Sequence, residues 1–155
     1  MQREIKFRGF HKCENGNTII IINGESVRGK WVYGYYFISE RDIEDGFVWR
    51  DIPQIQQRYG DHYQYFDVIP ETIGQYTGLK DSQGNELYEG DIIENEHKEK
   101  WLIVWNDIIS GFGTALKGDK NAIYSPNKHW YEACRKIGNI HDNPELLEVG
   151  HGANI

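Results

Sequence analysis

Residues 68–93 read VIPETIGQYTGLKDSQGNELYEGDII, and almost every residue of this stretch has a backbone role. Asp81 stands at the first position and Gly84 at the fourth position of a turn, which is typical of a type I turn closed by a left-handed glycine. We therefore predict a hairpin at this point. Gly90 then leads into a strand at 91–93, and a glycine there permits the bend that a small curved barrel needs.

The segments on either side repeat this succession of strands and turns. Residues 3–10 alternate between charged and apolar side chains, which is the period of a half-buried strand. Residues 18–22 (TIIII) form a β-branched run that is too short for a helix and too apolar to be exposed on both sides. The remaining predictions are a long strand at 30–39, a polar connection with room for one helical turn at 53–62, and a short helix starting at Asn143-Pro144.

These patterns predict a mainly β fold (β-rich α+β), with a small SH3-like or otherwise barrel-like antiparallel sheet and short helical pieces. An aromatic content of 14% agrees with this class, because large rings favour strands. We expect an N-terminal β-rich subdomain at 1–67, a barrel-like subdomain at 68–149 and a frayed tail at 150–155. A chain of 155 residues is suited to packing these parts as a single compact unit.

The charges are unevenly distributed along the chain. Residues 1–67 carry nine Lys/Arg against ten Asp/Glu, whereas residues 68–155 carry eight against fourteen. This acidity disfavours nonspecific wrapping of nucleic acid by the second half. Residues 1–30 are locally basic, with six Lys/Arg against three Asp/Glu.

The N-terminus is charged, and no stretch approaches the roughly 18 apolar residues of a membrane helix, so we expect a cytoplasmic protein that does not contact membranes. Cys13 and Cys134 form no CxxC pair, and two reduced thiols without a zinc site are expected. A disulfide between them stays open at this stage. No motif for a nucleotide, metal or other cofactor is present, and no cofactor is expected.

Four blocks of the sequence belong together: REIKFRGF at 3–10, GKWVYGYY at 29–36, residues 68–93, and IGNIHDNPELLE at 137–148. They resemble the YopX-like family of small phage and prophage proteins. The blocks occur in the family's order, and the resemblance is absent from about 40–62. It implies a β-rich fold with a barrel-like part and a phage or prophage origin, hence the cytoplasm of a bacterial host. It implies no reaction.

Three residues have the side-chain types of a metal-dependent nuclease hairpin. Asp91 and Glu96 would hold a divalent cation, and Lys98 would assist the attacking water. Residues 94–100 nevertheless form a dense run of charges between two predicted strands, which favours a solvated turn. Asp91 is then expected to support the turn at Gly90.

The aromatic strand is the stronger candidate for binding. Side chains alternate across a strand, so four aromatic residues would line one face: Trp31, Tyr33, Tyr35 and Phe37. Such a face is a platform on which bases stack, or equally an aromatic core or an interface between subunits.

The sequence therefore favours a non-catalytic interaction or assembly module that binds protein partners or itself. We expect a homo-oligomer, with a phage or host protein as a further partner. A nucleic-acid-binding accessory protein that uses the aromatic strand is the alternative, and a metal-dependent nuclease is a second alternative. Because no catalytic set is evident, the sequence leans away from an enzyme without deciding the question.

Overall fold

The computed structural model describes residues 4–42, 44–46, 49–119, 121 and 123–148. The chain divides into two compact units, an N-terminal unit (residues 2–75) and a C-terminal unit (residues 76–155). Strands dominate both units and every strand pair is antiparallel, which confirms the predicted mainly β class. The predicted tail at 150–155 lies outside the described residues.

The described part of the N-terminal unit contains five complete strands in the order β5-β4-β3-β1, with β2 paired to β3. The strands are β1 (Phe7–Lys12), β2 (Thr18–Ile22), β3 (Glu25–Asp42), β4 (Trp49–Tyr59) and β5 (His62–Asp67). A 3-10 turn at Pro70–Thr72 follows. The first two residues of β6 (Gly74–Lys80) then pair with β1.

The C-terminal unit contains the rest of β6 and a five-stranded sheet in the order β11-β10-β9-β8-β12. Its elements are β7 (Glu86–Tyr88), β8 (Asp91–Glu94), β9 (Lys100–Asn106), β10 (Gly111–Leu116), β11 (Ile123–Tyr124), α1 (Lys128–Glu132) and β12 (Arg135–Asn139). A 3-10 turn at Pro144–Leu147 ends the described part of the chain.

The sheets are open, so the predicted barrel-like closure is wrong. In the five-stranded sheet, the terminal strands are β11 and β12, and within the described residues they do not pair with each other. β11 is only two residues long. A strand of this length offers too little backbone to close a ring of strands, which needs a continuous ladder.

The turn at 81–85 forms as its residue types predict. The N–H of Gly84 donates to the Asp81 carbonyl oxygen at 3.1 Å, and Gly84 has φ +82°. The Asp81 carboxylate also accepts from the backbone N–H groups of Gln83 and Asn85 at 2.9 and 2.8 Å. The hairpin of β6 and β7 follows from this local chemistry.

The predicted polar connection at 53–62 is instead β4 and the start of β5. Proline is tolerated in β4 because the ladder of β4 with β5 ends at Gln54, one residue after Pro53. The Pro53 carbonyl oxygen accepts from Val68 at 3.0 Å, which shows that this side of the residue faces the end of β5. The N–H that proline lacks would therefore point past the end of the ladder, and no paired residue of β5 needs it as a donor.

The predicted start of a helix at Asn143-Pro144 is a 3-10 turn. Pro144 occupies its first turn, as expected, but the Asn143 side chain makes no capping hydrogen bond. Its Oδ1 accepts from the N–H of Asn139 at 3.4 Å instead. The residue types therefore mark the start of the turn, whereas the side chain serves β12.

Each unit has its own hydrophobic core. In the N-terminal unit the buried residues are Val32, Ile55 and Val68. In the C-terminal unit they are Leu87, Ile93, Ile103, Tyr131 and Cys134. No helix in the described part of the chain is long and apolar enough to span a membrane.

Candidate interaction surface

One face of β3, β4 and β5 carries aromatic and polar side chains. The pairing register places Tyr35 opposite Gln56 and Gln56 opposite Tyr65, so one row of side chains crosses all three strands. Since alternate residues of a strand share a face, the whole set follows. We call it the tyrosine face: Tyr35, Phe37, Gln54, Gln56, Arg58, Tyr63 and Tyr65.

Contacts between these side chains confirm that they share a face. The rings of Phe37 and Tyr65 meet edge to face with centroids 5.8 Å apart. The Gln56 amide donates to the Tyr65 hydroxyl at 3.4 Å. The opposite side of the sheet carries the core residue Ile55 and the ring of Tyr36, which packs on Phe7 at 5.6 Å.

Three tyrosines on this face are exposed although their strands are well paired. Tyr35 is 63% exposed, Tyr63 49% and Tyr65 57%. A tyrosine held on a sheet retains few rotamers and offers a large ring with a polar tip. The face therefore presents three exposed rings on a backbone that strand pairing holds in place.

A network of charged and amide groups fixes one end of the face. Arg41 donates two hydrogen bonds to the Asp67 carboxylate at 2.9 and 3.0 Å. Gln54 donates to the same carboxylate at 2.7 Å and accepts from the Ser39 hydroxyl at 2.8 Å. The hydrogen bonds from Arg41 hold the pKa of Asp67 below its usual value, so Asp67 is ionised and this pair carries no net charge.

A groove with a volume of about 390 Å³ adjoins the other end of the face. Its lining includes Tyr33, Tyr35, Tyr63, Gln56, Gln57 and Arg58. Gly34 also lines the groove, and a Cβ at this position would overlap the Gln56 carbonyl oxygen. Only glycine lets β3 approach β4 this closely, and the groove depends on that approach.

The four predicted aromatic residues divide between two parts of β3. Trp31 and Tyr33 lie where β3 pairs with β1, and Tyr35 and Phe37 lie where it pairs with β4. Trp31 is half-buried, with its ring 5.3 Å from that of Phe10. Tyr33 is 39% exposed at the groove. Two members of the predicted set therefore lie on the tyrosine face.

Tyr63 and Tyr65 are not among the predicted site residues, because the sequence predicts a polar connection at 53–62 and no strand directly after it. The signal is present: in HYQYFD the two tyrosines alternate with other residues and follow directly after a two-residue turn. Gly60 has φ +59° at the first turn position, as a type II′ hairpin requires. Recognition of this hairpin would have placed both rings on one face.

The three nuclease candidates are not brought together. Asp91 begins β8 and Glu96 lies beyond its end, which puts the length of the strand, about 10 Å, between them. The Asp91 carboxylate accepts from the Tyr88 N–H at 2.7 Å and pairs with Lys136 at 3.2 Å, so it supports the turn at Gly90 as predicted. Lys98 pairs with Glu94 at 3.6 Å in an exposed turn.

No group of three or more His, Cys, Asp or Glu side chains in the described ranges is arranged to hold a metal ion. Cys13 and Cys134 are both free thiols. Burial raises the pKa of Cys134 to about 11, and its thiol donates to the Trp130 carbonyl oxygen at 3.2 Å. Because the thiolate is the reactive form, Cys134 is suited to packing rather than to nucleophilic chemistry.

Comparisons with known proteins give a family and similar solved structures. A family model described as YopX protein matches residues 25–148, which is well over half of the chain. A crystal structure of protein EF1440 from Enterococcus faecalis is similar over 95% of this chain and 100% of that one, with 21% identity and a TM-score of 0.45. No curated protein matches the chain.

Proposed function

The chain belongs to the YopX protein family, and from its surface chemistry we propose that it is a non-catalytic interaction module that binds a protein partner through the tyrosine face. The observation that carries this proposal is the row of exposed rings on paired strands, Tyr35, Tyr63 and Tyr65. Tyrosine and arginine are enriched at protein interfaces and among the residues that dominate binding energy.

The composition of the face favours a protein surface as its partner. Gln56 and Arg58 offer amide and guanidinium donors beside the rings, which suits backbone carbonyl groups and side-chain oxygens. Because the face is built on paired strands rather than loops, little ordering entropy is lost when a partner docks. A polar, aromatic and rigid surface of this kind supports specific binding of moderate affinity.

The distribution of charge makes nucleic acid a less favoured partner of the tyrosine face than a protein. Single-stranded nucleic acid binding depends on several phosphate contacts, each contributing to a steep salt dependence. On and beside this face, Arg41 pairs with Asp67 at 2.9 Å and Lys6 pairs with Glu4 at 3.5 Å. Arg50 and Arg58 are then the two cations on this side of β4 that a phosphate could contact, which is few for a nucleic-acid groove. Stacking on tyrosines alone would give weak binding.

The test compares two sets of tyrosine variants on the same sheet. Tyr35→Ala with Tyr65→Ala removes two rings of the tyrosine face, whereas Tyr59→Ala removes a ring that is 42% exposed on the opposite side of β4. Partners are first captured by cross-linking from bacterial and phage-infected cells, in accord with the expected phage or host protein. Binding of each purified partner is then measured by titration calorimetry.

We expect the double variant to weaken binding by about 3 kcal/mol or more, because hot-spot tyrosines contribute about 2 kcal/mol each, and Tyr59→Ala to bind like the wild type. Equal affinities of the wild type and the double variant would refute the proposal. Binding of a single-stranded oligonucleotide that falls steeply with salt and is lost in the double variant would instead assign the face to nucleic acid.

A further inference from the structure

Strand β2 lies at an edge of the sheet in the N-terminal unit. It pairs with β3 along one side, and no other strand in the described part of the chain pairs with it. Ile20 is 1% exposed, whereas Ile19 and Ile21 are each 50% exposed. The apolar run is therefore buried on one side, as its composition requires, and leaves two isoleucines half in water on the other side.

The hairpin turn determines which backbone groups of β2 face outward. Asn23-Gly24 has φ +51° and +81°, the two positive angles of a type I′ turn. In such a hairpin, the flanking residues Ile22 and Glu25 exchange backbone hydrogen bonds, and every second pair along the ladder does the same. The N–H and C=O groups of Ile19 and Ile21 therefore point away from β3, along the open edge.

This edge has few of the features that keep edge strands apart. Apart from its short length, five residues, it has no lysine, no proline and no bulge in its ladder with β3. Residues 15–24 carry no charge, although the chain as a whole has a net charge of −7. Two acidic copies of the chain would repel each other over much of their surface, and this segment lets them approach without that cost.

We infer that β2 pairs in antiparallel register with β2 of a second copy of this chain, about a twofold axis at Ile20. Only this register overlaps all five residues of the strand, and it sets Ile19 of each copy opposite Ile21 of the other. Each of these pairs exchanges both backbone hydrogen bonds, because their N–H and C=O groups are the outward ones. The half-exposed isoleucines then cover one another.

This inference goes beyond the proposed function, since it concerns a different strand and a contact made largely by the backbone. The tyrosine face lies on β3, β4 and β5 and is unchanged by substitutions in β2. The two proposals therefore fail separately: a monomer with an intact tyrosine face still binds its partner, and a dimer forms without the rings of Tyr35 and Tyr65.

The first experiment needs no substitution. Amide hydrogen exchange of the wild-type protein is followed by NMR as protein concentration rises. The N–H groups of Ile19 and Ile21 are expected to become protected by tenfold or more as the dimer forms, whereas those of Ile20 and Ile22 are protected at every concentration by their bonds to β3. Fast exchange of Ile19 and Ile21 at all concentrations overturns the inference.

The second experiment uses charge to break and restore the contact, with mass in solution measured by light scattering. Ile19→Lys with Ile21→Lys, and Ile19→Glu with Ile21→Glu, each set like charges opposite each other, and both variants are expected to be monomers. An equimolar mixture sets lysine opposite glutamate and is expected to form a heterodimer. Ile108→Lys with Ile109→Lys, at two exposed isoleucines of the C-terminal unit, is the control and remains a dimer.

Each other outcome contradicts the inference. A wild-type monomer throughout, or lysine variants that stay dimeric, shows that β2 does not join two copies. A mixture that stays monomeric shows that the strands do not pair in this register. Protection of Ile19 and Ile21 that appears only when a different protein is added assigns the edge to that protein.

Discussion

At the scale of single residues, the buried carboxylates of this chain hold backbone groups in place. Asp91 is fully buried and accepts from the Tyr88 N–H, and Asp81 is 5% exposed and accepts from three backbone N–H groups, including that of Lys136. A buried carboxylate is stabilised only when donors and cations surround it. The sequence predicts a turn role for both residues, because Asp81 is three positions before Gly84 and Asp91 directly follows Gly90.

Removal of the Asp91 carboxylate is expected to destabilise the C-terminal unit. In Asp91→Ala the Tyr88 N–H loses its acceptor and Lys136 loses the carboxylate 3.2 Å away. Breaking a buried pair of this kind costs about 3 kcal/mol or more. The measurement is the free energy of unfolding from urea denaturation.

Glu96→Ala is the matched control, because the side chain of Glu96 is 80% exposed and its change is expected to stay within about 0.5 kcal/mol. If Asp91 and Glu96 instead formed a nuclease site, both substitutions would abolish catalysis without lowering stability. Loss of magnesium-dependent DNA cleavage in both variants, with unfolding free energies unchanged, would contradict the structural role of Asp91.

At the scale of elements, β4 is a strand that its own sequence pattern does not predict. Its segment QIQQRY alternates poorly in hydropathy, since Gln54, Gln56 and Arg58 belong to the tyrosine face and Ile55 is the fully buried residue on the opposite side. Periodicity detects a strand only when one side is apolar. β4 is extended because it pairs with β3 on one side and with β5 on the other. Pairing with strands elsewhere in the chain is not visible in a local sequence pattern.

Gly34 is expected to be intolerant of a side chain. Gly34→Ala places a methyl group against the Gln56 carbonyl oxygen, which is backbone and cannot rotate away. We expect a loss of about 2 kcal/mol or more of unfolding free energy, together with faster amide exchange at the pairing of β3 with β4.

Gly111→Ala is the comparison, because the nearest atom to a Cβ there is 3.8 Å away. It is expected to change the unfolding free energy by no more than about 0.5 kcal/mol. Equal unfolding free energies for the Gly34→Ala and Gly111→Ala variants would show that β3 and β4 do not approach each other this closely at the groove.

At the scale of the whole molecule, each unit contains a carboxylate whose pKa is lowered. In the N-terminal unit the hydrogen bonds from Arg41 lower the pKa of Asp67. In the C-terminal unit burial raises the pKa of Asp81, but hydrogen bonds from Lys136, Asn85 and Gln83 outweigh it, and the net shift is downward. Both units therefore favour ionised carboxylates.

We expect stability to fall in acid for this reason. A lowered folded pKa contributes stability above the unfolded value of about 3.9, and the contribution is lost as pH falls through the folded pKa. Urea denaturation at neutral pH and at values below about 4 measures the loss. Asp81→Asn is expected to be less stable at neutral pH and to lose less in acid.

Asp61→Asn is the control for this prediction, because Asp61 is exposed in the turn between β4 and β5. It is expected to follow the wild type at every pH. An Asp81→Asn variant with the same acid dependence as the wild type would show that Asp81 is not part of the acid response.

The fold class and the turns of this molecule follow from local residue types, whereas the tyrosine face does not. Asp81, Gly84 and Asn23-Gly24 determine their turns within a few residues. Tyr35 and Tyr65 are thirty positions apart and meet Gln56 only through the register of three strands. Closure into a barrel fails for a similar reason, since it depends on strands that are distant in the sequence.

The hydrogen bond between the Asp81 carboxylate and Lys136 has a consequence for synthesis of the chain. The carboxylate accepts from the N–H of Lys136, which is 55 residues later. At about 5–20 residues per second, a ribosome needs roughly 3–11 s to travel between these two codons. In the meantime the Asp81 carboxylate of the nascent chain can accept from the N–H groups of Gln83 and Asn85. Its bond with Lys136 forms only after β12 has been translated, so the C-terminal unit reaches its final form only then.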